Sequence, residues 1–288
     1  MYIKNNFPGI KELDIFLQKI PSSFSFIKDT DKIQDSCSKE KKYDLFIALD
    51  CGDTGRLGEA VKYLESAKKS ICIDHHISNP GYADVNYIVP EASSTAELIY
   101  GLLDPEKITK EIAEALYMGI AHDTGIFQFS MTTSATMRIA GDLMEKGIDF
   151  SKIVDETYFQ KTFLQNQILG RSLLESILLL DGKCIVSRIR RKEMQFYGVD
   201  YQDLEGIVSQ LRNTKGVEVA IFMYESDLQE YKVSMRSKGS VDVSKIAAYF
   251  GGGGHVRAAG CTMQGSFHSV LNNLTYDIEK QLLRENEQ

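Results

Sequence analysis

Three polar side chains follow a short apolar run at residues 70–76, Ser-Ile-Cys-Ile-Asp-His-His. The run is rich in β-branched residues and too short for an independent helix, so it predicts a buried strand. Open α/β sheets bind ligands at the carboxyl ends of their strands, which is where Asp74, His75 and His76 would then lie. A surface turn would explain one histidine, but adjacent histidines in a chain with 5 in total favour a functional site.

A second carboxylate follows the preceding apolar run. Residues 43–50, Tyr-Asp-Leu-Phe-Ile-Ala-Leu-Asp, predict a buried strand that ends at Asp50. A glycine-rich turn and a predicted helix at about 58–67 separate this strand from the next. Strand, helix and strand in such close succession form a βαβ unit, whose two strands are parallel neighbours. Asp50 is therefore expected to lie beside Asp74 and the two histidines.

A third carboxylate lies at the end of a predicted helix. Apolar residues at positions 112, 113, 116, 117 and 120 predict an amphipathic helix over 108–122, which the following Gly125 would terminate. Asp123 at that end opposes the helix dipole, and a bound cation would remove the conflict. A solvated C-terminal aspartate is the alternative interpretation.

The residue types at these positions predict a metal centre. Asp50, His75 and Asp123 offer oxygen and imidazole ligands without a thiolate, which suits Mn²⁺ or Mg²⁺ better than Zn²⁺. Three protein ligands leave coordination positions for water and a phosphate group, as metal-dependent hydrolysis requires. Asp74 would orient one histidine. His76 would contact the scissile phosphate or transfer a proton.

A glycine-rich segment at 251–260, Gly-Gly-Gly-Gly-His-Val-Arg-Ala-Ala-Gly, predicts a phosphate or nucleotide site. Its glycines allow a ligand to approach the backbone closely, and the residues after them are predicted to begin a helix whose N-terminal amides favour phosphate. A flexible linker is the alternative, which the following small residues disfavour. Arg236, at the end of a predicted hairpin strand, offers another guanidinium. The predicted substrate-binding residues are Arg236, Gly252, Gly253, Gly254, His255 and Arg257.

Composition places the chain among ordinary globular proteins, with 43% hydrophobic and 25% charged residues in 288. The net charge of −7 argues against binding to long duplex nucleic acid, which requires a basic surface. No segment has the length of apolar residues that a membrane span or signal peptide requires. Five cysteines without Cys-x-x-Cys spacing predict reduced thiols, and we expect a cytoplasmic protein.

The remaining segments predict an α/β half followed by an α+β half. Residues 1–42 predict short strands at 2–3 and 24–27, a helix between 8 and 20, and a polar loop at 35–42. Residues 151–180 are predicted to be helical throughout and to connect the halves. Further predicted strands lie at 85–89, 184–189, 217–224 and 231–235, and further helices at 95–103, 134–146, 203–211, 243–250 and 267–283.

Together, the segments at 70–76, 48–58, 119–127 and 251–260 resemble the DHH/DHHA1 phosphoesterases, with the nanoRNase branch as the nearest. The resemblance covers nearly the whole chain in the right order. It implies a DHH domain at 1–150 with a mostly parallel sheet flanked by helices, and a helical connector at 151–177. A smaller α+β DHHA1 domain with a mixed sheet follows at 178–288, and the active-site cleft is expected between the domains.

The resemblance also implies roles for the residues above. Asp50 becomes a metal ligand that bridges two ions, His75 and Asp123 become further ligands, and His76 lies near the reacting phosphate. Arg236 and the glycine segment with His255 would bind the nucleotide. The family uses Mn²⁺ to hydrolyse short RNA or DNA oligonucleotides and 3′-phosphoadenosine 5′-phosphate (pAp), and homodimers are common in it.

One family motif has no match in this sequence. The resemblance implies a first strand followed by His-x-x-x-Asp-x-Asp, but no histidine precedes His75. Asp29-Thr30-Asp31 matches part of the spacing without the histidine, and we reject it. We therefore expect an N-terminally incomplete DHH domain that lacks part of its metal centre and has weak or no turnover. Truncation and true degeneration both fit, and the alternative function is an inactive nucleotide-binding homologue.

Overall fold

A computed structural model describes residues 1–286 of the chain. Two compact units divide the chain, Met1–Gln160 and a second unit that begins at Lys161. Each unit has its own sheet and its own buried clusters.

The first unit is built around a parallel sheet with helices between and after its strands. Its elements are α1 (Tyr2–Asn6), β1 (Ile15–Phe16), β2 (Ile33–Gln34), β3 (Phe46–Leu49), α2 (Val61–Ser66), β4 (Ser70–Asp74), β5 (Val85–Ile88), α3 (Thr95–Leu102), α4 (Lys110–Asp123), α5 (Ser134–Glu145) and α6 (Phe150–Val154).

The predicted βαβ unit is confirmed. Strands β3, β4 and β5 form a sheet in that order, and both pairs are parallel. Burial alternates along β4, with Cys72 fully buried and its neighbours partly buried, as a strand with one well-covered face requires. Because the strands are parallel, the residues that follow β3 and β4 reach the same edge of the sheet.

Helix α4 supplies most of the helical core of this unit. Its apolar positions pack against α5 and α6 and form a cluster around Ile120, which is fully buried. The periodicity of 108–122 therefore predicted this element correctly, and the helix continues to Asp123.

The first 42 residues do not form the elements that local pattern predicted. Tyr2 and Ile3 belong to helix α1, and Ser22–Phe24 form a 3₁₀ turn instead of part of a strand. The predicted helix between 8 and 20 is wrong, because this segment contains strand β1, paired in parallel with β2. Phe16 stacks on Tyr63 with ring centroids 4.8 Å apart, so a tertiary contact favours the extended backbone here.

The segment 151–180 is not one continuous helix, as the sequence predicted. Helix α6 continues as a π-helical turn at Asp155–Phe159, and α7 (Phe163–Leu174) begins after a break. Thr162 and Gln165 form a reciprocal capping box that starts α7. The chain then enters strand β6 (Ile177–Leu179). The division between the compact units falls at the break, between Gln160 and Lys161.

The second unit contains a mixed six-stranded sheet, as predicted. After α7 and β6 its elements are β7 (Cys184–Ile189), α8 (Arg191–Tyr197), α9 (Ile207–Arg212), β8 (Val219–Asp227), β9 (Glu230–Ser237), α10 (Val243–Tyr249), β10 (Gly253–His255), β11 (Ala258–Gln264) and α11 (Phe267–Asn286). The strand order is β10-β11-β9-β8-β7-β6; β7 and β8 are parallel and the other pairs antiparallel.

The two faces of this sheet have different surroundings. Alternate residues of β8 and β9, among them Ile221 and Met235, pack with α10 and α11. The other face of β8, including Ala220 and Phe222, packs with α7 and α9. Side chains alternate between faces along a strand. On β9, therefore, the residues between the buried apolar positions belong to the second face.

The helix predicted after the four glycines is absent, and a β-hairpin of β10 and β11 replaces it. Gly254 has φ of +144°, and a Cβ there would lie 2.6 Å from Ala259 Cα. The small residues therefore allow two strands to pair closely, and the phosphate-binding helix terminus expected at this position does not exist.

Candidate metal centre and nucleotide-binding hairpin

Asp50 lies just beyond the carboxyl end of β3 in a left-handed conformation with φ of +56°. Its amide donates to the Ile73 carbonyl at 3.0 Å, which extends the pairing of β3 with β4 by one residue. Its Oδ1 accepts a hydrogen bond of 2.8 Å from Thr95 Oγ1, at the start of α3. The carboxylate is thus held in one direction, near a helix N-terminus that favours its negative charge.

His75 presents one ring nitrogen to two carboxylates. Its Nδ1 lies 3.2 Å from the Ala92 carbonyl oxygen, which can only accept, so Nδ1 carries the hydrogen. In the neutral ring the lone pair is then on Nε2. That atom lies 3.6 Å from Asp50 Oδ1 and 3.8 Å from Asp123 Oδ2. Backbone hydrogen bonds of this kind fix the orientation of metal-binding histidines.

Asp74 is fully buried and positions the residues that follow it. Its Oδ1 accepts from the His75 amide at 2.8 Å and from His76 Nδ1 at 2.7 Å. Its Oδ2 accepts from Asn79 Nδ2 at 2.5 Å. Burial on its own would raise the pKa of Asp74, but the hydrogen bonds from Asn79 and His76 outweigh it and lower the pKa.

His76 lies between this buried carboxylate and the candidate metal centre. Its Nδ1 is also 3.8 Å from Asp50 Oδ1. The ring is 8% exposed and packs so closely on Gly52 that a Cβ there would lie 3.2 Å from His76 Cγ. With Nδ1–H donated to Asp74, the neutral ring keeps its lone pair on Nε2. The imidazole therefore has a fixed plane and a defined tautomer.

Asp123 ends α4 beside the same group of residues. Burial raises the pKa of its carboxyl to about 6, and the negative charge of Asp50 adds to that effect, while His75 and His76 oppose it. Two carboxylates that converge in a partly buried place repel each other unless a cation or a proton lies between them. The conflict inferred from the helix dipole is therefore reinforced by the tertiary structure.

These residues fit a divalent metal ion. Within residues 1–286, Asp50, His75 and His76 place one ligand atom each within 4.8 Å of one another. Asp123 Oδ2 adds an oxygen beside His75 Nε2. Carboxylate oxygens and imidazole nitrogens suit the hard and borderline divalent cations. Five predicted residues of the first unit therefore meet at one sheet edge: Asp50, Asp74, His75, His76 and Asp123.

Sequence reasoning missed the residues that hold this cluster in place. Asn79, Thr95 and the carbonyl of Ala92 each bond a predicted site residue directly. Asn79 also donates to the Cys51 carbonyl at 3.2 Å, so it links the ends of β3 and β4. An asparagine before a proline ordinarily indicates only a turn, and a threonine at a helix start only a cap. Neither residue carried a signal for this role.

The predicted binding residues of the second unit lie on neighbouring strands. His255 is opposite Ala258, and Ala258 is opposite Arg236, so the three residues form one row across β10, β11 and β9. Directly paired residues share a face of a sheet, which places His255 and Arg236 on the same face. Arg236 is half-buried, and burial together with the charge of Arg212 lowers the pKa of its guanidinium.

The other predicted binding residues differ in their surroundings. Gly252, Gly253 and Gly254 are exposed, and among the described residues β10 is an edge strand of the sheet. Arg257 lies in the hairpin turn, where its Nη1 donates to the Val241 carbonyl at 3.2 Å. Part of the Arg257 guanidinium therefore joins the turn to the segment before α10.

Two family models match separate parts of the chain, one in each unit. Residues 2–120 match the DHH family N-terminal domain, and residues 181–282 match the DHHA1 domain. The chain therefore belongs to the DHH/DHHA1 family of phosphoesterases, whose members are metal-dependent hydrolases.

Several similar proteins are named for oligoribonuclease and PAP phosphatase activity. The chain is 29% identical over 248 residues to the bifunctional oligoribonuclease and PAP phosphatase NrnA of Thermus thermophilus, covering 85% of this chain and 73% of the relative. It is 28% identical over 258 residues to the protein of the same name from Bacillus subtilis, covering 88% and 80%. A Streptococcus mutans protein, described as a probable NrnA, matches at 29% identity over 98% of this chain and 87% of its own length.

A solved structure supports the fold. An exopolyphosphatase-related protein from Bacteroides fragilis superimposes with a TM-score of 0.86 at 25% identity, covering 93% of this chain and 82% of that one. Among the described residues, no helix has the length and apolar character needed to cross a membrane.

Proposed function

We propose that this protein is a Mn²⁺-dependent phosphoesterase that hydrolyses short oligonucleotides to mononucleotides and pAp to AMP. The observation that carries the proposal is the arrangement of His75, whose Nε2 faces Asp50 and Asp123 while its Nδ1 is held by a backbone carbonyl. The relatives named for oligoribonuclease and PAP phosphatase activity support the substrate class.

Three residues of the first unit would bind the metal ion, and a fourth would orient one of them. Asp50, His75 and Asp123 would hold the cation, and Mg²⁺ is the alternative to Mn²⁺ for this ligand set. A bound divalent cation supplies Lewis-acid stabilisation of the phosphate charge and makes a coordinated water more acidic. Thr95 would keep the Asp50 carboxylate directed at the site.

His76 is the residue we propose for proton transfer. Hydrolysis forms a bond from a water oxygen to phosphorus and breaks the bond to the leaving ribose oxygen, which must gain a proton. An imidazole whose Nδ1 donates to Asp74 can exchange a proton at Nε2. Asp74 is then a positioning residue that fixes the tautomer of His76, and the hydrogen bonds that lower its pKa favour its ionised, accepting form.

The second unit would hold the nucleotide. His255 offers a ring for stacking or hydrogen bonding, and Arg236 a guanidinium for a phosphate oxygen on the same face of the sheet. The exposed backbone of Gly252–Gly254 allows a ligand to come close without obstruction by side chains. Arg257 is the weaker candidate, because it already donates to a carbonyl of its own unit.

The proposal is tested with a dinucleotide and with pAp as substrates, in the presence of Mn²⁺. Slow release of mononucleotide from the first and of phosphate from the second is expected, because the sequence predicts that part of the metal centre is missing. Asp50→Asn should abolish both activities, because it replaces the anionic carboxylate ligand with a neutral amide of the same shape. Asp53→Asn serves as the matched control, since Asp53 is exposed and caps a neighbouring 3₁₀ turn.

Two results would contradict the proposal. One is turnover that survives Asp50→Asn unchanged, which would place the chemistry elsewhere. The other is tight nucleotide binding without turnover in Mn²⁺ or Mg²⁺, which would favour the inactive nucleotide-binding alternative.

A further inference from the structure

An open trough lies on the second face of the sheet in the second unit, beyond the row of His255 and Arg236. Its volume is about 430 Å³, which falls within the range of small-ligand sites. It is lined by Tyr224, Lys232, Ser234, Gly252, Gly260 and Thr262, among others. Gly252 and Gly260 belong to the glycine-rich segment predicted from the sequence, whereas Tyr224, Lys232 and Thr262 were not predicted as site residues.

Strand pairing shows how the trough relates to the predicted nucleotide site. Lys232, Ser234 and Arg236 alternate along β9 and therefore share one face of the sheet. Successive same-face residues of a strand are about 6.7 Å apart, so Lys232 and Arg236 stand about 13 Å apart along the strand. An extended single strand of nucleic acid that is held at Arg236 can reach Lys232 with its next nucleotides.

Between these two cations, Ser234 has Phe222 of β8 opposite it on one side, and only glycines follow on the other side, across β11 and β10. Gly260 is directly opposite Ser234, and Gly253 is directly opposite Gly260. A Cβ at Gly260 would lie 2.8 Å from the Val233 carbonyl oxygen, and a Cβ at Gly252 would lie 2.6 Å from Cys261 Cβ. On the β11 and β10 side, the backbone itself therefore forms the surface on which a nucleic acid strand would lie.

The far end of the trough combines an aromatic ring, a cation and a hydroxyl. Tyr224 is directly opposite Lys232 on one side, and Thr262 is opposite it on the other. Lys232 Nζ donates to Thr262 Oγ1 at 2.8 Å, which directs the ammonium group across the sheet, and the side chain is exposed. An aromatic platform beside a cation is the combination that binds a base and its phosphate in single strands.

Exposed lysines are common on edge strands, where they hinder unwanted pairing. That explanation does not apply to Lys232, because β9 lies between β11 and β8 in the sheet. We propose that Tyr224, Lys232 and Thr262 form an extension subsite. It binds the phosphate and base of a further nucleotide, beyond the one held at Arg236 and His255. This inference rests on the proposed function, since it assigns a preference for oligonucleotides over pAp to that same site.

Direct binding tests the subsite without depending on turnover. The full chain is titrated in EDTA with a fluorescent RNA pentanucleotide at several salt concentrations. Lys232→Gln should weaken binding about fivefold and reduce the magnitude of the log–log salt slope by about 0.7, the contribution of one single-strand phosphate contact. Lys232→Arg should restore the slope. Lys192→Gln, at an exposed position of α8, is the control with the same change in net charge.

Base stacking is tested at Tyr224. Tyr224→Leu should weaken pentanucleotide binding by about fivefold or more, whereas Tyr224→Phe, which keeps the ring, should bind like the wild type. In turnover, the ratio of kcat/KM for the pentanucleotide to that for pAp should fall about fivefold in Lys232→Gln. Thermal unfolding of each variant reports any loss of folded protein.

The outcomes separate the two proposals. If the wild type hydrolyses neither substrate, the proposed function fails, while the EDTA titration still supports or refutes the subsite. If Lys232→Gln changes neither the affinity nor the salt slope beyond Lys192→Gln, the subsite is refuted. It is also refuted if Lys232→Gln impairs pAp and the pentanucleotide equally, because the trough would then serve every substrate.

Discussion

Three neighbouring glycines of the β10–β11 hairpin should respond in opposite ways to the same substitution. An alanine Cβ at position 252 would lie 2.6 Å from Cys261 Cβ and 2.7 Å from Cys261 Cα, and closer still to the Gly260 carbonyl oxygen. At position 254 it would lie 2.6 Å from Ala259 Cα, with φ at +144°. At position 253, no atom of the described residues other than its chain neighbours lies within 4 Å.

The magnitudes follow from these distances. Ordinary contact begins at 3.4 Å, so Gly252→Ala requires the Cys261 atoms to move by most of an ångström and the Gly260 carbonyl oxygen by more than one. Overpacking of this kind costs about 1–3 kcal/mol. Gly254→Ala adds the strain of a positive φ, about 1–3 kcal/mol more. Gly253→Ala should be neutral or stabilising by roughly 0.5 kcal/mol, because alanine loses less backbone entropy in a strand than glycine.

Urea unfolding followed by circular dichroism measures all three variants against the wild type. The expected order of stability is Gly253→Ala, Gly252→Ala and then Gly254→Ala. Three equal free energies of unfolding would refute the packing argument and favour a flexible loop at 251–254. Because Gly253→Ala keeps the fold, a rise in its KM for a dinucleotide would report close approach of the substrate to the exposed backbone.

Three further predictions concern ionisable groups. Asp74→Asn should lower kcat about tenfold or more, because an amide oxygen accepts the His76 hydrogen bond more weakly than a carboxylate does. Asp84→Asn, at the other end of β4, should leave kcat unchanged. Steady-state kinetics measures both variants, and equal effects would contradict the prediction. Burial alone would raise the pKa of Glu193, but its hydrogen bonds from Arg190 outweigh that effect and lower it to about 2. The free energy of unfolding should therefore fall, by on the order of 1–3 kcal/mol, as pH drops from about 4.5 towards 2, and Glu193→Gln should flatten this dependence in urea titrations. Burial raises the pKa of Asp123 to about 6, so protons should compete with Mn²⁺ for its carboxylate below that pH. Calorimetry should show roughly tenfold weaker Mn²⁺ binding near pH 5 than near pH 7.5. Equal Mn²⁺ affinity at the two pH values would argue against Asp123 as a ligand.

Elements with strong periodicity could be predicted from local sequence. The apolar alternation of β4 and the helical spacing of α4 each specify one structure, because burial of those positions is possible in only one conformation. The first 42 residues and the segment after the glycines could not be predicted in this way. There, stacking of Phe16 on Tyr63 and the backbone approach of Gly252 to β11 decide the conformation.

In the candidate site, the predicted ligands could be recognised from the sequence, whereas the residues that hold them in place could not. Asp50, His75, His76 and Asp123 have side chains whose chemistry is apparent from their type and from their positions at element ends. Asn79 and Thr95 are ordinary turn and cap residues in sequence, and their importance arises from which atoms the fold brings within hydrogen-bonding distance. The bonds from Asn79 to the Cys51 carbonyl and from Thr95 to Asp50 join residues far apart in the chain, and such bonds leave no local pattern.

The sequence by itself determined that three carboxylates and two histidines lie at the ends of predicted strands and of a predicted helix, and that a glycine-rich segment lies in a second, α+β half. Only the tertiary structure decided how these residues act. It set the tautomer of His75 through Ala92, buried Asp74 beneath His76, and replaced an expected helix after the glycines with a hairpin. Periodic burial is encoded locally, whereas the direction of a lone pair and the approach of two backbones depend on contacts between distant segments.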